Sequence, residues 1–183
     1  MTAPRVARAF AAVAALSMLL AGCATVPPPE TYGGDTLSGR MSVRVEAHGH
    51  AEATSMTAAF ELRGDPWRGQ LDLATPLGTT LAQARWAPGQ VALVTPQGET
   101  RFATLDDLTR EVLGESLPVA ALFDWLRGRP WPGAPSTPAP QPVEHGFSQL
   151  GWTVDLARFD DAAIVARRAQ PPAVTVRARM DRP

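Results

Sequence analysis

The sequence predicts a mainly β, α+β fold, and three observations carry that expectation. Apolar and polar residues alternate over several short runs, and glycine- or proline-containing turns separate those runs. The spacing changes to a helical period only near the middle of the chain. With 183 residues, 45% hydrophobic and 19% charged, the chain can bury one core but not two comfortable ones.

The first element is a leader. Arg5 and Arg8 form a positive start, and residues 9–22 then run 14 positions without a charge. This is the length of a signal peptide and too short for an ordinary membrane-spanning helix. The run ends in Leu20-Ala21-Gly22-Cys23, which resembles the bacterial lipobox. In that pattern small residues suit the signal peptidase, and the cysteine thiol accepts diacylglycerol. Residues 1–22 are thus expected to be a lipoprotein signal peptide, with Cys23 the lipidated residue. Two or more acyl chains give lasting attachment where one gives only marginal binding. Ala24 follows the cysteine in place of the aspartate that retains enteric lipoproteins at the inner membrane, so the implied address is the periplasmic face of the outer membrane. Residues 23–36 hold three consecutive prolines and two glycines and are expected to be an extended tether.

The body, residues 37–183, opens with alternation. Leu37, Gly39, Met41, Val43 and Val45 share one face of a half-buried strand, and Arg40, Ser42 and Arg44 share the other. After a polar turn, Met56, Ala58, Phe60 and Leu62 repeat the pattern. Gly64-Asp65-Pro66 then turns the chain into Trp67, Gly69, Leu71 and Leu73. Further strands are expected over 79–86 and 91–95, with turns at 87–90 and 96–98, giving an antiparallel meander.

Thr104-Leu105-Asp106-Asp107 reads as a helix cap with an acidic residue three positions on. Leu105, Leu108 and Val112 form the apolar stripe, and Gly114 is the stop. Pro118 suits the first turn of a second helix with Val119, Leu122, Phe123 and Leu126 on one face. Residues 128–142 contain six prolines and are expected to be loop alone. Strands resume over 143–149, 152–159, 162–168 and 173–180.

Composition removes several functions. The net charge is −1, and all 17 basic residues are arginine. Nothing gives a global field for nucleic acid, and with no lysine there is neither a P-loop nor a lysine Schiff base. One cysteine makes no internal disulfide. His48-Gly49-His50 offers two imidazoles in a turn without a third ligand, Asp106-Asp107 suits a helix start, and no G-x-S-x-G or H-E-x-x-H motif occurs. The expectation is a protein that is not an enzyme, with no catalytic residues, metal or cofactor and no nucleic-acid partner.

Apolar surface is more informative. Pro76-Leu77-Gly78 places a leucine at a turn tip, where Asn, Asp, Gly or Ser is usual. Leu77 either projects for a reason or folds back as a plug. Five tryptophans (Trp67, Trp86, Trp125, Trp131, Trp152) either line a ligand cavity or fill a core, and composition does not choose.

The chain resembles the LolB family of bacterial outer-membrane lipoprotein receptors. After the lipobox, the matching pieces are Leu37-Ser38-Gly39-Arg40-Met41-Ser42-Val43, the run from Leu71 to Thr80, the segment from Leu117 to Gly128, and the run from Phe147 to Val154. Their order is right and they cover most of residues 37–156. The match fades after Phe159, and Met180-Asp181-Arg182-Pro183 lacks the expected aromatic ending.

The resemblance implies an incomplete antiparallel β-barrel with short helices over its mouth and an apolar cavity. It implies a monomeric receptor that takes lipoproteins from a LolA-type periplasmic carrier, holds their acyl chains and inserts them into outer-membrane lipid. Pro76, Leu77 and Gly78 then match the membrane-insertion loop. Alternation selects Met41, Val43, Phe60, Leu71, Leu73 and Trp152 from the strands, with Leu122, Phe123 and Leu126 from the helix, as the cavity wall. The alternatives are an assembly lipoprotein that binds another protein through a sheet edge, or a lipoprotein that transports lipid.

Overall fold

The computed structural model of the protein describes Gly33 and residues 36–182, so the leader, Cys23 and nearly all of the tether lie outside the described residues. Eleven strands form a single antiparallel sheet in the order β6-β5-β4-β3-β2-β1-β11-β10-β9-β8-β7. The first meander is β1 (Leu37–Val45), β2 (Thr54–Gly64), β3 (Gly69–Ala74), β4 (Thr80–Ala87), β5 (Gln90–Thr95) and β6 (Gly98–Phe102). The second is β7 (Ser136–Pro138), β8 (Gly146–Gln149), β9 (Trp152–Asp155), β10 (Ala163–Arg168) and β11 (Val174–Met180). They join where β1 pairs with β11, from Gly39 opposite Met180 to Val45 opposite Val174. The sheet is not closed, because β6 and β7 end the order. It is the incomplete barrel expected, built as two meanders joined through the first and last strands.

Alternation explains the inward face. Met41, Val43 and Val45 of β1 are buried, as are Ala58, Phe60 and Leu62 of β2, while Arg40 and Arg44 are exposed. Inward residues of both meanders and of the two helices belong to one core cluster. The sheet therefore wraps around its helices rather than lying flat against them.

Helix α1 (Leu105–Leu113) begins where its sequence says. The Thr104 hydroxyl accepts the Asp107 amide at 3.1 Å and donates to the Asp107 carboxylate at 2.7 Å. Gly114 ends the helix in the left-handed conformation, φ 78°. The buried stripe is rotated from expectation: Leu108, Thr109 and Leu113 face inward, and Val112 is exposed. Thr109 causes the turn, since its hydroxyl accepts the amide of Leu117 at 3.0 Å and so must sit on the buried side.

Helix α2 (Val119–Trp125) is buried on every side, including Ala121, Asp124 and Trp125. It is a short inner rod rather than a helix with one apolar face.

Other departures have local causes. Strand β6 escaped the pattern because Gly98-Glu99-Thr100-Arg101-Phe102 is an exposed edge with charges, a usual device against edge pairing. The proline-rich segment 128–142 is not loop alone: β7 pairs with β8, Thr137 opposite Ser148. An outermost strand tolerates Pro138, whose missing N–H removes no ladder bond from a neighbour. Strands β8 and β9 meet in the expected two-residue hairpin turn at Leu150 and Gly151, φ 54° and 78°, but are shorter than expected at their far ends: β8 starts only at Gly146, and β9 gives way after Asp155 to a turn and the 3₁₀ helix Phe159–Asp161. Trp67 fills neither cavity nor core; it is 76% exposed beyond the start of β3.

Candidate functional site: an apolar interior beside an exposed leucine loop

The interior is built around α2. Its Phe123 ring meets Trp86 of β4 edge to face, with centroids 5.8 Å apart. On the other side, Trp125 meets Phe147 of β8 at 6.4 Å and Trp152 of β9 at 6.1 Å. The two aromatic residues of this short helix thus touch opposite halves of the sheet. All nine residues expected on the cavity wall lie here. Met41, Val43, Phe60, Leu122, Phe123, Leu126 and Trp152 belong to the core cluster, and Leu71 and Leu73 pack against it half-buried. Side chains of α2 occupy the space between the two walls.

The contacts on the two sides differ in kind. Gln149 of β8 is a buried junction whose side chain is fully used. Its carbonyl oxygen accepts the Trp125 indole N–H at 2.8 Å and the Trp131 amide at 2.9 Å. Its NH₂ donates to the carbonyls of Trp131 and Ala134, both at 2.7 Å. Arg168 of β10 adds a second tie. It pairs with Glu115, between the helices, at 2.7 Å and lies over the Trp152 ring at 5.7 Å. Among the described residues, no side-chain hydrogen bond or ion pair links either helix to β1–β6. Contact there is apolar: Phe123 on Trp86, and α1 against β5 and β6. Sequence reasoning missed Gln149, a lone polar residue at an inward strand position. Its inward register beside Trp152 was the available signal.

The apolar wall is least covered on that same side. Leu71, Leu73 and Leu93 point inward from β3 and β5 but remain half-buried. The loop from Thr75 to Thr79 lies at the end of these strands, and its geometry is tightly specified. Thr75 accepts the Gly78 amide at 2.9 Å, closing a β-turn with proline second and glycine fourth. The Thr75 amide donates to the Thr79 carbonyl at 2.8 Å, and the Thr75 hydroxyl accepts the Thr79 amide at 3.1 Å. Gly78 takes φ 85°, which leucine or any other branched residue would resist. Pro76 fixes the other side of the tip.

A bulge aims the loop. Leu73 pairs with Ala82 and Ala74 with Thr80, leaving Leu81 as an extra residue on β4. Leu77 at the tip is 95% exposed, so it does not fold back as a plug, and Leu81 is also exposed. A rigid turn holding a bare leucine in water costs apolar exposure without any packing return.

Comparison with known proteins fits this arrangement. The family model described as "Outer membrane lipoprotein LolB" matches residues 36–181. The chain belongs to the LolB family. An outer-membrane lipoprotein LolB of Bordetella petrii is 38% identical over 169 residues, covering 86% of this chain and 84% of the relative. One of Cupriavidus necator is 37% identical over 155 residues, covering 80% and 78%. One of Chromobacterium violaceum is 32% identical over 154 residues, covering 80% and 81%. As a member of that family the chain is an outer-membrane lipoprotein of the transport class and not an enzyme. No helix among the described residues is long and apolar enough to cross a membrane.

Proposed function

We propose that this chain is anchored through Cys23, accepts lipoproteins from a LolA-type periplasmic carrier into its apolar interior, and delivers them to outer-membrane lipid by way of Leu77. The observation that carries the proposal is the pairing of a bare leucine on a braced turn with an apolar wall left half-covered beside it. Acyl chains are too apolar to cross water, so carrier and receptor must shield them in turn. No catalyst is needed. Transfer runs forward when the receptor binds the chains more tightly, about tenfold for each 1.4 kcal/mol, and release is driven by burial in the bilayer.

The wall between α2 and strands β3–β5 is the proposed entrance. Contacts there are apolar and non-directional, so an acyl chain that replaces them exchanges one apolar surface for another. Parting the helices from the β8–β10 side would instead break the Gln149 and Arg168 bonds. The helices are therefore held as on a hinge by their polar side and open on their apolar side.

The test is a handover assay. The chain, reconstituted in vesicles, is offered an acylated lipoprotein held by its carrier, and transfer to the vesicle is followed. The expected result is transfer that requires this chain; a lipoprotein that stays on its carrier overturns the proposal. Anchorage is checked separately by mass spectrometry of the mature N-terminus. A diacylglyceryl-modified Cys23 is expected, and an unmodified one contradicts the anchor.

A further inference from the structure

The outward surface of the sheet is electrostatically balanced in one meander and unbalanced where the meanders join. On β2–β6, arginine alternates with acid: Arg63 pairs with Glu61 and Asp72, and Arg85 and Arg101 pair with Glu99. On β1 and β11, Arg40 stands directly opposite Arg179, and Arg177 lies two residues from Arg179 on the same face. Like charges directly opposed on antiparallel strands are destabilising. None of the three has a carboxylate within ion-pair distance among the described residues, although Arg44 on the same face is paired with Glu46. Among the described residues, the repulsion therefore goes uncompensated.

These three side chains surround a groove. It has a volume of about 370 Å³ and spans the outward side of β1, β11 and β10, with Arg158 at its far edge. The outward residues between the arginines are small or short, Ser42, Thr57 and Ala163, which is why the surface sinks there. Asp155 borders it with one negative charge, its carboxylate turned to accept the Ala157 amide at 2.9 Å, and Arg158 is paired with Asp161 at 3.1 Å, so the three arginines outnumber the single acid. What remains is a compact pocket ringed by three uncommitted guanidinium forks. Arginine forks match the oxygens of a phosphoryl group, and three converging on one small groove suit a compact oxyanion better than an extended acidic segment.

We infer that the Arg40–Arg177–Arg179 groove binds the phosphate of a membrane-lipid headgroup. Position argues for the lipid source. Ala74, at the base of the Leu77 loop, is level with Ala59, then Arg40, then Arg179 across three consecutive pairings. The groove thus lies in register with the base of the Leu77 loop, three strands across the sheet, and the loop runs on past that register. A headgroup phosphate lies just outside the hydrocarbon that Leu77 is proposed to enter, so both contacts can be made at once. The choice of lipid rests on the proposed membrane insertion; the phosphate site itself does not.

The test uses the full chain in a non-ionic detergent and follows the arginine Nε–H resonances. The probes are inorganic phosphate, glycerophosphoglycerol as a soluble lipid headgroup, and glycerol as the phosphate-free control. The expected result is saturable binding of glycerophosphoglycerol, at least tenfold weaker in Arg179→Gln and in Arg177→Gln and unchanged in Arg101→Gln. Arg179→Gln should also melt at the same temperature as the parent or higher, because it removes a repulsion. Absence of saturable binding, or equal binding by the parent and both groove variants, overturns the site. Binding of inorganic phosphate but not of the headgroup overturns the lipid assignment. A Leu77 variant that inserts lipoproteins normally would overturn the proposed delivery step and leave phosphate binding untouched, so the two failures are distinguishable.

Discussion

The two sides of helix α2 are built from similar residues and held by different forces. Toward β8–β10, Trp125 is completely buried, its indole N–H satisfied by Gln149, and Arg168 reaches across to Glu115. Toward β3–β5, Phe123 rests on Trp86 without a polar tie, and Leu71, Leu73 and Leu93 stay half-covered. Hydrogen bonds inside a protein fix geometry and are costly to leave unmade, whereas apolar contact is tolerant of its partner. The β8–β10 side thus specifies where the helix sits. The β3–β5 side, held by apolar contact alone, is the entrance of the proposed acceptance step, and the exposed Leu77 loop belongs to it.

The contrast can be attacked first at its bridging residue. Phe123→Asp removes an aromatic ring from the core and puts a carboxylate where the ring meets Trp86. A loss of about 5 kcal/mol or more is expected, enough to unfold the domain, and circular dichroism on heating checks it. A folded Phe123→Asp protein would mean that this side of α2 already opens to water. Next comes the clasp. Gln149→Leu keeps the volume but strands the Trp125 indole N–H, the Trp131 amide and two carbonyls, for an expected loss of about 3–5 kcal/mol in urea unfolding. A cost below about 1 kcal/mol would remove the distinction between the two sides.

The open side should respond differently. Leu73→Ala is expected to cost only about 1–2 kcal/mol, since the side chain is half-buried, while clearly weakening acceptance of an acylated lipoprotein. Equal acceptance by parent and variant would move the proposed entrance elsewhere. Smallest of all is an effect at the α1 cap. The Thr104 hydroxyl, and then Arg110, hold the Asp107 carboxyl below its ordinary value. A depressed acid stabilises the fold above its unfolded pKa, about 3.9, and that contribution is lost as pH falls through the lower folded value. The stability difference between the parent and Asp107→Asn should therefore be slight at neutral pH and vanish in strong acid, as read by unfolding at several pH values. A difference that persists in strong acid would assign it to something other than the charge.

Much of this was legible in the sequence. Alternation alone placed Met41, Val43, Phe60, Leu71, Leu73 and Trp152 on the inward face, because a period of two leaves no choice once one face is apolar. Cap and stop residues bounded α1. The odd leucine between Pro76 and Gly78 marked the loop. Three things were not legible. The β1–β11 pairing joins residues over a hundred positions apart, and no local pattern encodes it. Val112 and Leu113 are equally apolar neighbours, and only the Thr109 bond to Leu117 decides which one turns inward. Gln149 looks like any polar strand residue until Trp125, Trp131 and Ala134 are brought around it by the fold. Cys23, the proposed anchor, lies outside the described residues.

The central claim is that Leu77 serves the membrane and not the fold, and Leu77→Glu tests it most directly. The variant should be made in the full chain, melted, and assayed for insertion of a carrier-delivered lipoprotein into liposomes. A surface change away from packing should alter stability by no more than about 0.5 kcal/mol. A leucine buried in lipid gains roughly 1.5–3 kcal/mol, so insertion should fall by about ten- to a hundredfold while acceptance from the carrier persists. Insertion at the parental rate, or a large fall in melting temperature, would contradict the account.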